Sequence, residues 1–351
     1  MFSHLRQFFS HDIGIDLGTA NTLVYVRGKG VVINEPSVVA VNTKTGQVVA
    51  VGKKAKEMLG RTPQHITAIR PLVDGVISNF EVAEEMLAYL INKAQAGSPR
   101  MLGPRVVVGV PSGITNVEIR AVRDAAKNAG AREVHVVEEP MAAAIGCRLP
   151  IHEPRGVMVI DIGGGTTDIA IIALSGVVRA QNVRIAGEHF NTALISFVRD
   201  EFKILIGEKT AEELKHAICT LEENPEPVEA TLRGRDLVTG LPREVVLTDR
   251  DVREALLPQI DTLFEAIGEI LEITPPEILS DVMQEGVYVT GGGSLIPGMT
   301  ALMERMMRVP VYMAEDPLTS VVRGTGIILE DFERFREVVL DHDDDTVIPR
   351  S

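Results

Sequence analysis

Two short segments of the chain combine an aspartate with a turn of glycine and threonine. The first is Asp16-Leu-Gly-Thr-Ala-Asn21, and the second is Asp161-Ile-Gly-Gly-Gly-Thr-Thr-Asp168. Glycine lets backbone N–H groups approach a bulky anion, and threonine and asparagine add side-chain donors. Aspartate repels phosphate unless a divalent cation lies between them, as Mg²⁺ does when it is held through its waters. One such turn is common in ordinary hairpins, but the matched pair predicts a site that holds one phosphate chain from both sides.

The residues of the two turns are expected to have different tasks. Asp16 and Asp161 would surround the Mg²⁺ ion, largely through water. The residues expected to donate to phosphate, through backbone or side chain, are Gly18, Thr19, Asn21, Gly163, Gly164, Gly165, Thr166 and Thr167.

A third glycine-rich strand end follows later in the chain. The apolar run 286–289 leads to Thr290 and then to Gly291, Gly292 and Gly293. A strand end without side chains can approach the face of a base and a ribose, so this segment suits the nucleoside half of a nucleotide. Glycine-rich strand ends are frequent, and the signal therefore depends on the two phosphate turns.

A glutamate at the start of a helix is the candidate hydrolytic residue. A strand from Val134 runs into Glu138 and Glu139, and Pro140 suits the first turn of a helix. Glu139 could orient a water for in-line attack on a terminal phosphate. It could equally serve only to favour the helix N-terminus electrostatically. The residues alone leave both interpretations open.

The elements that position these residues can also be predicted. Alternating apolar runs at 13–17 and 22–27 flank the first turn, and runs at 157–161 and 169–174 flank the second. The repetition predicts a duplicated α/β core. The helix after Glu139 has a small-residue face, and the segment 321–329, which contains Gly324 and Gly326, is the expected partner for a close crossing that forms a hinge between two lobes.

Together these segments resemble the actin, Hsp70 and sugar-kinase superfamily and, within it, the MreB family of rod-shape-determining bacterial actins. The resemblance extends from about residue 11 to about residue 330 and is carried by residues 12–22, 34–38, 68–76, 138–146, 161–168, 184–187, 239–242 and 290–297. It implies an α/β, actin-like ATPase fold in which two duplicated α/β lobes surround a nucleotide cleft, each with a smaller inserted subdomain.

The resemblance also implies ligands and contacts. ATP, with GTP as an alternative, would bind with Mg²⁺, and Glu139 would position the attacking water with help from Thr166. Residues implied to contact the phosphates are Thr19, Ala20, Asn21, Gly164, Gly165 and Thr166. Residues implied to contact the nucleoside are Glu212, Glu213, Leu214, Lys215, Thr290, Gly291, Gly292 and Gly293.

The expected domain organisation follows the same resemblance. The core of the first lobe would comprise residues 11–32, 76–145 and 315–340, with an insertion at 33–75. The core of the second lobe would comprise 146–181 and 253–314, with an insertion at 182–252. An amphipathic segment at 1–10 and an acidic tail at 341–351 would flank them.

Composition limits the possible function classes. The chain has 351 residues, of which 45% are hydrophobic, enough for two core-bearing lobes. A net charge of −14 without a basic stripe disfavours nucleic acid as a partner. No apolar run approaches the roughly 20 residues of a membrane-spanning helix, and no secretory signal is visible. Cys147 and Cys219 are isolated thiols, which suits a cytoplasmic location.

Two segments are candidates for peripheral contact with the inner face of the cell membrane. In the N-terminal segment, Phe2, Leu5, Phe8 and Phe9 share one helical face, which could enter the headgroup boundary of a bilayer. Packing on the first lobe, or disorder, remains the alternative. Met101 and Leu102 would form a second membrane contact at a loop tip, or a buried loop end.

The function that the resemblance implies is a cytoskeletal ATPase whose ATP-bound copies stack into filaments that hydrolysis loosens. Nucleotide would favour the closed two-lobe state, which presents complementary ends for head-to-tail contact. The resemblance implies paired protofilaments at the inner membrane surface and transmembrane cell-elongation proteins as further partners. A small-molecule kinase or a chaperone-type ATPase of the same superfamily is the alternative.

Overall fold

The computed structural model describes residues 11–96 and 103–340. The strands, in chain order, are β1 (Ile13–Leu17), β2 (Asn21–Val26), β3 (Gly30–Pro36), β4 (Val39–Asn42), β5 (Val48–Val51), β6 (Ile66–Ile69), β7 (Leu72–Val73), β8 (Val76–Ile77), β9 (Arg105–Val110), β10 (Glu133–Glu138), β11 (Val157–Ile162), β12 (Thr167–Ala173), β13 (Gly176–Val183), β14 (Ile204–Leu205), β15 (Glu229–Asp236), β16 (Pro242–Thr248), β17 (Val287–Thr290) and β18 (Val311–Met313). The α-helices are α1 (Lys53–Met58), α2 (Phe80–Ala94), α3 (Asn116–Asn128), α4 (Glu139–Gly146), α5 (Gly187–Phe202), α6 (Glu208–Ile218), α7 (Asp249–Glu272), α8 (Pro276–Glu285), α9 (Met299–Met307) and α10 (Ser320–Glu330).

Two five-stranded sheets with the same strand arrangement form the framework. The first has the order β10-β9-β1-β2-β3, and the second has the order β18-β17-β11-β12-β13. In each, an antiparallel meander of three strands is extended by two strands that run parallel to its first strand. This confirms the predicted duplicated α/β core. Each sheet with the elements packed on it is called a lobe below.

The register of the two meanders places the two aspartates at equivalent positions. Asp16 pairs across β1 and β2 with Leu23. Asp161 pairs across β11 and β12 with Asp168. The duplication therefore extends to individual residues at the point where each phosphate turn leaves its sheet.

Each lobe carries a smaller sheet. In the first lobe, β5, β4 and β6 form a three-stranded sheet with a small core of Val38, Ala40 and Ala55 under α1. In the second lobe, β14, β15 and β16 form a three-stranded sheet. Leu232 of β15 and Leu214 of α6 belong to the same hydrophobic cluster as the second large sheet, so this attachment shares its core with the lobe.

Helices α4 and α10 lie between the two large sheets and cross closely. Their apolar residues form one cluster with Val107 of the first sheet and Val159 of the second. A Cβ atom added at Gly146 would overlap the carbonyl oxygen of Ser320, and one added at Gly324 would overlap that of Ala142. The predicted close crossing is confirmed, and glycine is required because backbone lies directly against backbone. The hinge role of this crossing stays a prediction.

The segments predicted to contact a membrane lie outside the described residues, as does the acidic tail. They contain Phe2, Leu5, Phe8, Phe9, Met101 and Leu102. Across residues 11–96 and 103–340, no helix combines the length and the apolar character needed to cross a bilayer.

Candidate functional site

The first phosphate turn joins β1 to β2 and is held from outside by two other segments. The Ser37 hydroxyl donates to the carbonyl of Gly18 at 2.6 Å, and the Ser37 N–H donates to the carbonyl of Ala20 at 3.0 Å. The Thr19 hydroxyl accepts a hydrogen bond from the Gly75 N–H at 2.9 Å. Because this bond uses Thr19 as an acceptor, the hydroxyl proton remains available for an anion.

The second phosphate turn joins β11 to β12 and rests on the start of α5. A hydrogen bond of 2.9 Å from the Gly163 N–H to the carbonyl of Thr166 closes the turn. The first N–H groups of α5, from Gly187 and Glu188, donate to the carbonyls of Gly163 at 3.2 Å and Gly164 at 2.8 Å. The unsatisfied donors of a helix N-terminus thus fix the conformation of the turn.

Three side-chain donors predicted for phosphate have protein partners, and one of them, the Thr166 hydroxyl, donates to Asp168 at 3.4 Å. The Thr167 hydroxyl is fully buried and donates to the carbonyl of Ile185 at 2.6 Å, so its proton is used within the second lobe. The Asn21 side chain is exposed and donates to the Asn34 side chain at 3.0 Å, and its amide group has a second proton to offer.

The structure brings the two turns into contact across the cleft. A Cβ atom added at Gly164 would lie 2.5 Å from the Cβ of Ala20, and one added at Gly165 would lie 2.5 Å from Oγ1 of Thr19. Any side chain at either glycine would therefore push the lobes apart. The glycines predicted to admit an anion are also the residues that let the two lobes close on each other.

Four carboxylates are gathered beneath the turns. Burial raises the pKa of Asp16 to about 7 and that of Asp168 to about 6. It raises the pKa values of Asp161 and Glu139 well above their ordinary range, and Asp168 and Asp16 raise both further by electrostatic repulsion. Asp16 keeps partial contact with solvent at its edge, but the surrounding protein still desolvates the carboxylate.

This group of carboxylates fits a divalent cation. A nearby cation removes the repulsion and stabilises the ionised forms. Within the described residues, no group of three or more histidine, cysteine, aspartate or glutamate side chains is arranged as direct metal ligands. A Mg²⁺ ion that keeps most of its waters does not require such a group.

Glu139 occupies the first residue of α4 and is 8% exposed. Its Cγ atom lies 3.5 Å from the point where a Cβ on Gly109 would stand, next to the end of β9. Asp168, Asp16 and Asp161 all act electrostatically on its carboxylate. The predicted hydrolytic residue therefore belongs to the same cluster as the two predicted metal-site aspartates.

Residues 212–215 of α6, which are predicted to contact the nucleoside, have different surroundings. Leu214 packs in the core of the second lobe, and Glu213 is exposed and pairs with Lys209 one turn earlier. The Lys215 ammonium donates to the carbonyl of Gly187 at 2.8 Å, close to the second phosphate turn, and burial lowers its pKa. Lys215 is thus the member of this group that lies next to the second turn predicted to hold phosphate.

The triglycine strand end packs against β11. A Cβ atom at Gly291 would overlap the carboxylate of Asp161 and the carbonyl of Ile162, and one at Gly293 would overlap the Ile162 side chain. Gly292 is exposed, and the nearest atom to an added Cβ is 3.4 Å away, in Leu318. Close packing within the lobe therefore explains two of these three glycines, and their contact with a nucleoside stays a prediction.

Ion pairs across the cleft were not predicted from the sequence. Lys56 of α1 lies 3.0 Å from the carboxylate of Glu212 on α6. Arg70 of the first lobe lies 2.8 Å from Glu208 and 3.6 Å from Glu188, both in the second lobe. Nothing in the local sequence signals such pairs, because their partners are more than 100 residues apart. We call these contacts the inter-lobe ion pairs.

Comparison with known proteins gives the family. The family model of the MreB/Mbl protein matches residues 10–337 of the chain. The chain belongs to the MreB/Mbl family. The cell shape-determining protein MreB of Escherichia coli (strain K12) is 49% identical over 334 residues, which cover 94% of this chain and 96% of that protein.

Solved structures agree with this assignment to the MreB/Mbl family. MreB5 of Spiroplasma citri bound to ADP matches with a TM-score of 0.88 and 38% identity, covering 93% of this chain and 98% of that chain. The MamK double helical filament matches with a TM-score of 0.78 and 25% identity, covering 92% of this chain and 99% of that chain. The actin-like fold is confirmed, and the chain is a bacterial actin-like cytoskeletal protein; neither a small-molecule kinase nor a chaperone-type ATPase is favoured.

Proposed function

We propose that this protein is an actin-like ATPase that binds ATP and Mg²⁺ between its lobes, assembles into filaments and guides cell-wall synthesis in rod-shaped growth. The observation that carries the proposal is the contact of two glycine-threonine turns, one from each lobe, above a cluster of buried carboxylates. A phosphate chain held by both turns would link the lobes. Adenine nucleotide is supported by the ADP bound in the Spiroplasma citri relative, and GTP is the alternative to exclude.

Each part of the site has a role in this proposal. Thr19 and the backbone of the second turn donate to the phosphates, and Lys215 adds positive charge beside that turn. Asp16 and Asp161 would hold Mg²⁺ through its waters, and the cation would supply positive charge that neutralises phosphate. Glu139 orients the attacking water and accepts its proton, a task favoured by its raised pKa.

Self-association is the second part of the proposal. The chain shares its fold with MamK, which is known as a double helical filament. Closure of the lobes around nucleotide would present the complementary ends needed for head-to-tail stacking. Paired protofilaments are the expected form.

The catalytic proposal is tested by phosphate release and by sedimentation. The full chain should release phosphate from Mg-ATP and should pellet in a nucleotide-dependent manner. Glu139→Gln, which keeps the shape and removes the carboxylate, should slow phosphate release about 100-fold while nucleotide binding and pelleting persist. Glu138→Gln is the matched control, since it changes the adjacent carboxylate. Equal phosphate release by Glu139→Gln and wild type would remove Glu139 from its role.

We also propose peripheral attachment to the inner membrane surface, with transmembrane cell-elongation proteins as partners. The support is the spacing of Phe2, Leu5, Phe8 and Phe9 in the sequence. One short amphipathic segment binds weakly, but many aligned copies in a filament bind strongly. Deletion of residues 1–9 should reduce co-sedimentation with anionic vesicles without lowering ATPase activity. Unchanged vesicle recovery would reject this role for the segment.

The domain organisation is proposed on the same basis. The smaller sheet of β4 to β6 lies within residues 33–75, and that of β14 to β16 lies within 182–252, as expected for an insertion in each lobe. Limited proteolysis with and without nucleotide would test whether these segments are cut independently of the two large sheets.

A further inference from the structure

The two meanders can be compared residue by residue because they share one register. Asp168 stands opposite Asp161, in the place that Leu23 takes opposite Asp16. Both side chains are buried, Leu23 at 5% exposure and Asp168 at 1%. The first lobe shows that an apolar residue packs well at this position. A buried carboxylate is costly unless hydrogen bonds compensate it, so packing alone does not explain Asp168.

The contacts of Asp168 join three separate parts of the molecule. Its Oδ1 accepts a hydrogen bond of 2.7 Å from the Ser112 N–H, which belongs to the first lobe, just after β9. Its Oδ2 accepts from the Asn182 side chain at 3.0 Å and from the Thr166 hydroxyl at 3.4 Å. One carboxylate therefore connects the second phosphate turn to the opposite lobe.

The direction of the Thr166 hydrogen bond matters for chemistry. An ionised carboxylate only accepts, so the Thr166 proton points at Asp168 and the lone pairs of Thr166 remain available. A water that donates to these lone pairs and to Glu139 keeps its own lone pair for the phosphorus atom. Thr166 is therefore set as an acceptor for the nucleophile.

We propose that Asp168 is a positioning residue for ATP hydrolysis, which orients the Thr166 hydroxyl toward the attacking water and ties that orientation to the first lobe through Ser112. The inference rests on the proposed ATPase function and deepens it. In the step itself, the water oxygen forms the new bond to the γ-phosphorus, the bond from that phosphorus to the ADP oxygen breaks, and the water proton passes to Glu139. Asp168 does not touch the reacting atoms.

The test uses the full chain and the isosteric variant Asp168→Asn. Its amide oxygen can still accept from the Ser112 N–H, but its NH₂ group faces Thr166 and reverses the polarity of that hydrogen bond. We expect kcat to fall at least tenfold, with the Kd for a fluorescent ATP analogue within threefold of wild type. Asn182→Ala, which removes a different hydrogen bond to the same carboxylate, should keep kcat within threefold.

A double-mutant cycle separates positioning from a structural role. In a Thr166→Ala background, Asp168→Asn should cause no further loss of kcat, because the two residues act as one unit. Additive losses, or a kcat for Asp168→Asn within threefold of wild type, would overturn the inference. If Asp168→Asn does not fold, Asp168→Leu, which copies the first lobe, is used in the same cycle. Failure of both to fold would assign Asp168 to stability and also overturn it. An inactive wild-type protein would instead reject the ATPase proposal.

Discussion

The ammonium group of Lys56 lies 3.0 Å from a carboxylate oxygen of Glu212, and this pair joins the small sheet of the first lobe to helix α6 of the second. Although partial burial raises the pKa of Glu212, the hydrogen bond from Lys56 lowers it below its ordinary value. Both side chains are partly exposed, so salt screens the attraction and each such pair contributes at most about 1 kcal/mol. The inter-lobe ion pairs therefore bias the cleft toward closure without locking it.

Reversal of one charge should open the cleft more often. Lys56→Glu is expected to raise the rate of nucleotide release, up to about fivefold at low ionic strength, since it replaces a weak attraction by repulsion. Stopped-flow release of a fluorescent nucleotide measures this, and the effect should vanish in high salt. Lys209→Glu is the matched control, because Lys209 pairs with Glu213 inside one helix.

A second charge reversal shows how Glu212 acts. If the rate of nucleotide release returns to the wild-type value in the Lys56→Glu, Glu212→Lys double variant, Glu212 acts through the ion pair. If the variant instead loses nucleotide affinity and its rate of nucleotide release stays high, the result would support the nucleoside contact that the resemblance implied and contradict the ion-pair explanation.

The sequence predicted those parts of the site that depend on local residue type. The strand-turn-strand repeat predicted the two matched turns, and the small-residue faces predicted the crossing of α4 and α10, because both depend on short-range patterns. Phosphate binding by the turns stays a prediction. The direction of a side chain within one helical turn was not predictable, which is why Leu214 and Lys215 have different surroundings. Asp168 was also overlooked, although an ungapped alignment of the two turns already sets it against Leu23.

The helix crossing provides a prediction about stability. Gly324→Ala should destabilise the protein by about 1–3 kcal/mol, because the new methyl group meets the backbone of α4, which cannot move without repacking both lobes. Gly268 is a suitable control, since it lies inside α7 and an added Cβ meets nothing within 4 Å. Gly268→Ala should stabilise by about 0.5–1 kcal/mol through helix propensity. Urea denaturation measures both, and equal effects would contradict the close crossing.

The carboxylate cluster predicts a pH dependence of stability. Burial raises the pKa of Asp16 to about 7 in the folded protein, compared with 3.8 for an exposed aspartate. Asp16 therefore ionises more easily in the unfolded chain, so its contribution to stability is greatest below pH 4 and is lost as the pH rises toward 7. Thermal unfolding without nucleotide or metal, compared between wild type and Asp16→Asn, should show a shallower decline for the variant. An identical pH profile would contradict the raised pKa of Asp16.

When Mg²⁺ is present, the affinity for nucleotide should rise with pH, whereas the stability contributed by Asp16 falls with pH. The cation favours ionised carboxylates, so the affinity for Mg-ATP should rise with pH up to about pH 7 and then level off, with proton release on binding. Isothermal titration calorimetry in buffers of different ionisation enthalpy measures the released protons. Removal of Mg²⁺ with EDTA should reverse this trend, because the ionised aspartates then repel the phosphates and affinity falls as the pH rises. An affinity that still rises with pH in the absence of metal would contradict a cation between the aspartates and the phosphates.

Because the two turns are in contact, one added methyl group should weaken nucleotide binding without lowering the stability of the protein. Gly165→Ala would place a Cβ 2.5 Å from the Thr19 hydroxyl, across the cleft and outside the core of either lobe. The lobes must then stay slightly apart, so nucleotide affinity should fall at least tenfold while the denaturation midpoint of the nucleotide-free protein stays within about 1 °C. Thr19→Ser removes the Cγ2 methyl of the opposing side chain, which would lie 2.9 Å from the new Cβ. Adding Thr19→Ser to Gly165→Ala should therefore recover part of the affinity. Full affinity in Gly165→Ala alone would mean that the turns do not need to meet when nucleotide binds.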